Sequence, residues 1–556
     1  MHAADAPKST DVPDWALAGL SIREIGGVRQ KASAYINKVA ANMGELATNM
    51  GANQLFPLFP VNAGIKPDGA ALIYFVAPAK PELPVERAMV LPVSDAAAVK
   101  TALAGSIGMP TEENGIATYS IPQLPPDPDK PLLVKFVRAN MLVAPSADVL
   151  KKLEEFLGAR DAAALAGDAD AVLALKVANI KRTYEPDFLI PILDAQTNSA
   201  SATPEQTEAL KLRIHAVMDR VWQTDTLEAR VAFDTKKESA SLEVSFNGQP
   251  GSALAKGLSG DAPTVTGHLN ALLPYDPALL LTWDVNPIDA GNALRGAIEM
   301  SALKDSTDAA QQAKLKVLQA LTTLAESVKG DAIVAFGARE GEPVTPVLAS
   351  ESPDPKKTMS GLLNAMNAAV GAKNGADAFA LEFERDKDIA DVKVVKIIGS
   401  SIGRNDPVVR FICDAKVAEL KSVIVVSSGN TAVNTVGSMI RNATAPAAVA
   451  PEIKSIFDAI PKGSAALLVL RPMLALREIA AISNPKGPAE NLTANLPTAP
   501  LALSVRVAGG RAALRLELPA AAAEAIFQFG LRLRRAGMRL DELFTPAGDV
   551  PAPPAP

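Results

Sequence analysis

The sequence predicts an α+β protein of two tandem homologous lobes, each mainly antiparallel sheet backed by helices. Three observations predict it. Five sequence blocks recur in the same order in the two halves of the 556-residue chain. Apolar residues alternate with period two in several runs, the mark of a half-buried antiparallel strand. Segments with helical spacing and good start signals separate those runs.

The first block is Pro13-Asp14-Trp15-Ala16-Leu17, answered by Pro274-Tyr275-Asp276-Pro277-Ala278-Leu279. Each leads through a short apolar strand into a segment with helical spacing. The second is Gly69-Ala70-Ala71-Leu72-Ile73-Tyr74-Phe75, answered by Gly330-Asp331-Ala332-Ile333-Val334-Ala335-Phe336, an offset of 330 − 69 = 261. The third starts with the strand Met89-Val90-Leu91, turns at Ser94-Asp95, enters a helix carrying Leu103 and ends at Asn114-Gly115. Its partner has Pro346-Val347-Leu348, Pro353-Asp354, Leu362 and Asn374-Gly375. The fourth pairs Met141-Leu142-Val143-Ala144-Pro145-Ser146 with Ile424-Val425-Val426-Ser427-Ser428-Gly429. The offset there is 424 − 141 = 283, so the second half carries an insertion, placed within 384–421. The fifth is a strand pair. Leu227, Ala229, Val231 and Phe233, then Leu242, Val244 and Phe246, answer Leu501, Leu503, Val505 and Val507, then Leu514, Leu516 and Leu518.

Repeats of this kind are sought before motifs, because they set the fold. They place lobe 1 at 12–258 and lobe 2 at 273–536, with the junction near 259–272. A fainter echo of the first block, at Gly167-Asp168-Ala169-Asp170 and at Pro461-Lys462-Gly463, hints that each lobe holds two smaller units. Helices are expected over 24–49, 95–106, 146–158, 204–222, 307–328, 355–370, 430–441, 473–482 and 519–536. Pro-rich stretches at 121–131 and 484–500 read as loops. The Pro/Ala tail 546–556 cannot build a core. Gly509-Gly510 suits the positive φ of a tight hairpin.

Composition narrows the function. Hydrophobic residues make up 48% of the chain, charged residues 21% and aromatics 4%, so a real core is built mainly from Ala, Leu, Val and Ile. A net charge of −6 argues against a nucleic-acid binder, which needs a large basic footprint. No apolar run reaches the length of a transmembrane helix. The start, Met1-His2-Ala3-Ala4-Asp5-Ala6-Pro7, resembles the region around a signal-peptidase cut. It places the chain in the periplasm or outside the cell, with an ordinary cytoplasmic N-terminus as the alternative.

Motifs offer no catalytic or metal centre. The one cysteine, Cys413, follows Val408-Val409-Arg410-Phe411-Ile412, reads as part of a strand, and is expected to be a buried hydrophobe. The histidines are His2, His215 and His268, without ligand spacing, so a zinc site on them is disfavoured. Gly399-Ser400-Ser401-Ile402-Gly403 matches a nucleophile elbow, but no His follows Ser401 in the chain. Ser301-Ala302-Leu303-Lys304 and Ser483-Asn484-Pro485-Lys486 match Ser-x-x-Lys, without the partner motifs of that chemistry. Asp127/Asp129 and Asp168/Asp170 read as solvated loop acids rather than calcium ligands. Arg532, Arg534, Arg535 and Arg539, after Ile526, Phe527 and Phe529, form either a basic surface-binding helix or one packed on its own sheet.

The Pro-Asp and Pro-x-Asp openings resemble those of bacterial cell-envelope proteins of unknown function, in which Leu-Pro-x-Asp starts repeated α+β units. Leu273-Pro274-Tyr275-Asp276 fits that opening; Val12-Pro13-Asp14-Trp15 departs from it, with Val for Leu and no spacer. The resemblance spans 12–530 and brings no catalytic residues. The expectation is a non-enzymatic extracytoplasmic binding or scaffold protein of the bacterial envelope. Its cofactor set is empty, and its ligand, a protein, peptide or lipid-like molecule, sits in the groove between lobes. The alternatives are an enzyme with a carboxylate site lacking a local motif, and a self-assembling surface protein.

Overall fold

The computed structural model describes residues 9–55, 63–78, 80–120, 131–184, 218–259, 264–300, 307–337, 344–374, 379–389, 391–399, 403, 405–444, 453–454, 456–457, 463–483 and 487–544. They fall into two compact units. One is Met1–Asp261 with Val507–Ala520; the other is Ala262–Arg506 with Ala521–Pro556.

The first unit runs β1 (Ala16–Ile22), α1 (Ile25–Val39), α2 (Gly44–Leu55), β2 (Ala71–Val76), β3 (Glu86–Pro92), α3 (Ala96–Ile107), β4 (Thr111–Glu113), β5 (Ile116–Ser120), β6 (Pro131–Val137), β7 (Asn140–Ala144), α4 (Ala147–Leu157), α5 (Ala162–Leu165), β8 (Ala171–Lys176), α6 (Val177–Tyr184), β9 (Thr224–Asp234), β10 (Ser239–Gly248) and α7 (Ala253–Leu258). The second runs β11 (Leu279–Val285), α8 (Pro287–Met300), α9 (Ala309–Ala325), β12 (Gly330–Gly337), β13 (Thr345–Glu351), α10 (Pro355–Asn374), β14 (Phe379–Arg385), β15 (Val392–Gly399), α11 (Pro407–Cys413), β16 (Ala415–Leu420), β17 (Val423–Ser428), α12 (Ala432–Thr444), β18 (Ser464–Leu470), α13 (Pro472–Ser483), α14 (Ala489–Thr493) and β19 (Leu501–Ala508). Then come β20 (Arg511–Pro519) and α15 (Ala520–Arg535). Antiparallel sheet with helices makes the chain α+β.

Both units pair their strands in one pattern. The first has the order β4-β5-β6-β7-β3-β2-β1-β8-β9-β10. The second has β14-β15-β16-β17-β13-β12-β11-β18-β19. The registers agree residue by residue. Ile22 faces Ala71 and Trp283 faces Ala332, displaced by 283 − 22 = 332 − 71 = 261. Met89 faces Val143 and Leu348 faces Val426, displaced by 348 − 89 = 259 and 426 − 143 = 283. Met89 therefore corresponds to Leu348 rather than to Pro346, a small change to the third sequence block.

Within the described residues, one strand breaks the contiguous division at 273–536. β20 lies along β10 over nine residue pairs, Ser239↔Pro519 to Asn247↔Arg511, and so belongs to the first unit. Gly509 and Gly510, both at positive φ, make the turn that enters it. Buried charges line one face of these strands. Arg230 holds Glu228 Oε2 through Nε at 3.0 Å and Nη2 at 2.9 Å, and Arg511 reaches Glu243 Oε1 at 3.1 Å.

The expectation of one wet sheet face fails for the central strands. The contiguous apolar run Ala-Leu-Ile-Tyr-Phe-Val of β2 leaves no polar face to expose. On one side Leu72, Tyr74, Val90 and Leu142 pack under Leu150 and Leu153 of α4. On the other Ile73, Leu91 and Met141 pack under Val99 and Leu103 of α3. The second unit has the same two cores, one under Val436 and Met439 of α12, the other under Met366 and Val370 of α10.

The aspartates of the two openings have matching partners. Asp14 is ion-paired with Lys176, and Asp276 Oδ2 lies 2.6 Å from Arg471 Nη1. Each cation ends or follows the strand beside the opening, and 471 − 176 = 295 is the offset of β8 to β18.

Three expectations need correction. The run before Cys413 is a helix, α11, because Asp406 accepts from Val408 N and Val409 N and Pro407 occupies its first turn. An apolar run of this length has no period of its own to separate helix from strand. The expected helix 24–49 is two, broken at 40–43, where Asn42 has φ 65°. Asp170 is not a solvated loop acid, whereas Asp168 is exposed as expected but has an ion-pair partner. Asp170 is buried, 2.7 Å from Lys31 Nζ, and accepts from Phe233 N; Asp168 pairs with Arg230.

Arg230→Ala strips Glu228 of its closest cation in a buried setting. Urea unfolding of the first unit is expected to show a loss of about 3–5 kcal/mol. The pair replacement Glu228→Leu with Arg230→Met is expected to recover most of it.

Candidate functional site

The shared register identifies counterpart side chains in the two units, and the region under α3 and α10 differs between them. In the first unit, Ile22, Met89, Leu91, Met141 and Val143 fill the space between the β1-β2-β3-β7 surface and α3, and all are buried. Their counterparts in the second unit are Trp283, Leu348, Ser350, Ile424 and Val426. Ser350 stands where Leu91 does, Leu348 and Ile424 match the methionines in volume, and Trp283 is larger than Ile22. Above them, Val99 and Leu103 of α3 answer Thr358 and Leu362 of α10.

The second unit keeps a cavity of about 280 Å³ at this place. Its floor is Trp283, Val285, Ala332, Leu348, Ser350, Ile424 and Val426; its walls come from α8, α9 and α10, with Leu324 and Leu362 among them, and from Val328 just after α9. Among the described residues no charged side chain lines it. Thr358 lines it too, but its hydroxyl is tied to Ser352 Oγ at 2.7 Å and Ser327 O at 3.0 Å, so it is turned to the protein. Leu348 is 38% exposed and marks an opening to solvent. Apolar cavities of about 150 Å³ stay dry and admit benzene. This one admits a larger apolar group.

The sequence-predicted candidates lie elsewhere. Cys413 is buried on α11. Gly399 ends β15, which is paired antiparallel on both sides, unlike the strand before a nucleophile elbow. Ser401, His2, His215, Asp127, Asp129 and the Ser301–Lys304 stretch lie outside the described residues, as do Asn484, Pro485, Lys486, the loop 121–130, the tail 546–556 and most of the helix expected at 204–222. Phe529 of α15 is buried with Met473 and Leu496, and Arg532 donates to Ala494 O at 2.7 Å, so this helix packs on its own unit.

His268, without ligand-spaced neighbours in the sequence, has acidic neighbours in the fold. It sits beside Asp331 and Glu351. Both acids belong to the face of β12 and β13 opposite the cavity, because side chains alternate along a strand. Among the described residues no group of three or more His, Cys, Asp or Glu could hold a metal. No helix among them is long and apolar enough to cross a membrane.

Sequence reasoning missed the cavity. Its signal in the repeat is confined to one position: aligning Leu91 with Ser350 shows a loss of side-chain volume, while Met89/Leu348 and Met141/Ile424 are nearly isosteric and Trp283 is larger than Ile22.

No family model matches the chain, and no curated protein matches it. Among solved structures, crystal form IV of TP0453 aligns over 47% of this chain and 100% of its own, at 10% identity and a TM-score of 0.21. Crystal form III of TP0453 aligns over 46% and 96%, at 8% identity and a TM-score of 0.22. A likeness this slight carries no argument about fold or function.

The two copies should respond oppositely to substitution. Leu91→Ala hollows a filled core and is expected to cost about 2–5 kcal/mol in urea unfolding. Ser350→Leu adds a side chain where the first unit already holds one, and is expected to leave the second unit as stable or more so.

Proposed function

We propose that this chain is a non-enzymatic binding protein of the bacterial envelope whose second unit carries the aliphatic part of a lipid-like molecule. The observation that carries the reading is the contrast between copies: one fold, one register, buried side chains including Leu91 and Met141 in the first unit and an open apolar cavity in the second. Unfilled apolar volume costs about 24 cal/mol per Å³ in protein cores, so an apolar occupant offsets that penalty.

The lining supports the ligand class. It offers apolar surface and no charged group, so the bound part is uncharged and any polar head stays at the opening. The same lining supports a non-enzymatic role, since no acid or histidine of the described residues faces the cavity. The resemblance of the Leu273-Pro274-Tyr275-Asp276 opening to cell-envelope proteins supports a place outside the cytoplasm. The reading puts the ligand inside the second unit rather than in the groove between lobes that sequence reasoning favoured.

Native mass spectrometry of the full chain from its own host is expected to show one lipid-like molecule per chain. A dansylated fatty acid should then bind with one-to-one stoichiometry. Ser350→Leu with Ile424→Met, which copies the first unit's filling, should weaken binding about tenfold or more. Undiminished binding by that folded variant, or two molecules per chain, would contradict the reading.

A further inference from the structure

The strands that floor the cavity carry a charge cluster on their other face. Asp284 of β11 stands directly opposite Asp331 of β12 in the register. Glu351 of β13 accepts from Asp331 N through Oε2 at 2.8 Å. Like charges placed opposite one another on adjacent strands are unfavourable. His268 supplies the opposing charge. It opens the 3-10 turn His268–Leu272, with Nδ1 3.3 Å from Asp331 Oδ2 and Nε2 3.0 Å from Glu351 Oε1.

The hydrogen-bond directions fix its state. Thr266 Oγ1 donates to Asp331 Oδ2 at 2.6 Å, so toward His268 Nδ1, 2.5 Å away, it is left to accept. Asp331 also accepts from Thr266 N and Gly267 N. Both ring nitrogens of His268 therefore face acceptors. A neutral imidazole has one N–H and can satisfy only one of them; the imidazolium satisfies both. The other charged groups nearby do not compete. Arg441, the one charged residue of α12, which packs on this turn, donates to Ser438 Oγ. Lys329, just before β12, and Lys454 are exposed.

We propose that His268 is a charge clasp. Protonated, it ties the entry segment 264–268 to the ends of β11, β12 and β13; deprotonated, it leaves three carboxylates facing one another, and the strand ends loosen. The floor residues Trp283, Val285, Ala332 and Ser350 are chain neighbours of Asp284, Asp331 and Glu351, so loosening reaches the cavity. That last step, regulation of the site by pH, rests on the ligand reading above.

The titration directions agree. The hydrogen bond to Asp331 raises the His268 pKa against the effect of burial, and the charge of Glu351 adds to it. Burial raises that of Asp284, and Asp331 and Glu351 push it further up. For Asp331 burial works upward, but the hydrogen bonds from His268 and Thr266 prevail and hold it below the ordinary carboxylate value. A histidine raised in the folded state stabilises fully below its unfolded value, about 6.5, and loses that contribution as pH rises through the folded value. Asp284 works in the same sense. Asp331 sets the acid limit, its contribution lost as pH falls through its own lowered value. The clasp is closed in mildly acidic solution and opens on the alkaline side.

Hydrogen–deuterium exchange of the full chain, corrected for intrinsic rates, tests this at about pH 5.5 and about pH 8.5, either side of the histidine range. Protection of peptides covering 264–272 is expected to fall roughly tenfold from the lower to the higher pH. His268→Gln should show the alkaline level at both. Glu351→Gln should move the transition to lower pH. Equal protection at both values in the parent chain, or a pH response that survives His268→Gln, overturns the clasp. Affinity for the dansylated fatty acid should fall several-fold over the same interval in the parent and stay flat in His268→Gln. A flat parent affinity overturns the link to the cavity. Absence of probe binding at every pH removes the ligand reading instead, and the exchange result still decides the clasp.

Discussion

Everything in the second unit's chemistry depends on the antiparallel register it shares with the first. Backbone N–H and C=O groups in a sheet must pair, and pairing fixes which side chains face one another. A slip of one residue would turn every side chain to the other face. Ile22 opposite Ala71 and Trp283 opposite Ala332 are thus the same position twice. With the backbone held constant, a change from Leu91 to Ser350 is a change of volume at one point in space.

The register also separates two tasks on one set of strands. Trp283, Ala332 and Ser350 point to the apolar cavity, while Asp284, Asp331 and Glu351 alternate with them and point the other way. Apolar volume and charge therefore never share a face here, and neither compromises the other's surroundings. The first unit lacks the charged row. Arg23, Ala70 and Pro92 stand at the positions of Asp284, Asp331 and Glu351, which leaves no like-charge row to neutralise.

Much of the fold was legible in the sequence because strand periodicity is a local signal. The offsets of 261 and 283, the hairpin at Gly509-Gly510, and the alternation at 227–233 and 501–507 needed no tertiary information. Other parts were not legible for physical reasons. Val408–Cys413 is apolar at all but one position, so only the cap at Asp406 marks it as helix. Asp170 looked like a loop acid because Lys31, its partner, lies 170 − 31 = 139 residues away. The strand β20 reads as the end of the second lobe, and its pairing with β10 depends on contacts across half the chain. The cavity needed the register that equates Ser350 with Leu91, and the placement of α8, α9 and α10 around it. His268 looked solitary because its carboxylates arrive on β12 and β13, far along the chain.

The central claim is that the second unit binds an apolar chain where the first binds none. A crystal of the full chain soaked with a terminally brominated fatty acid tests it most directly, by locating the bromine through its anomalous scattering. The account predicts one peak per chain, among Trp283, Leu324, Leu348, Ser350 and Ile424, with the space around Leu91 and Met141 unchanged. A peak in the first unit's core, or an empty second-unit cavity under saturating ligand, would contradict it.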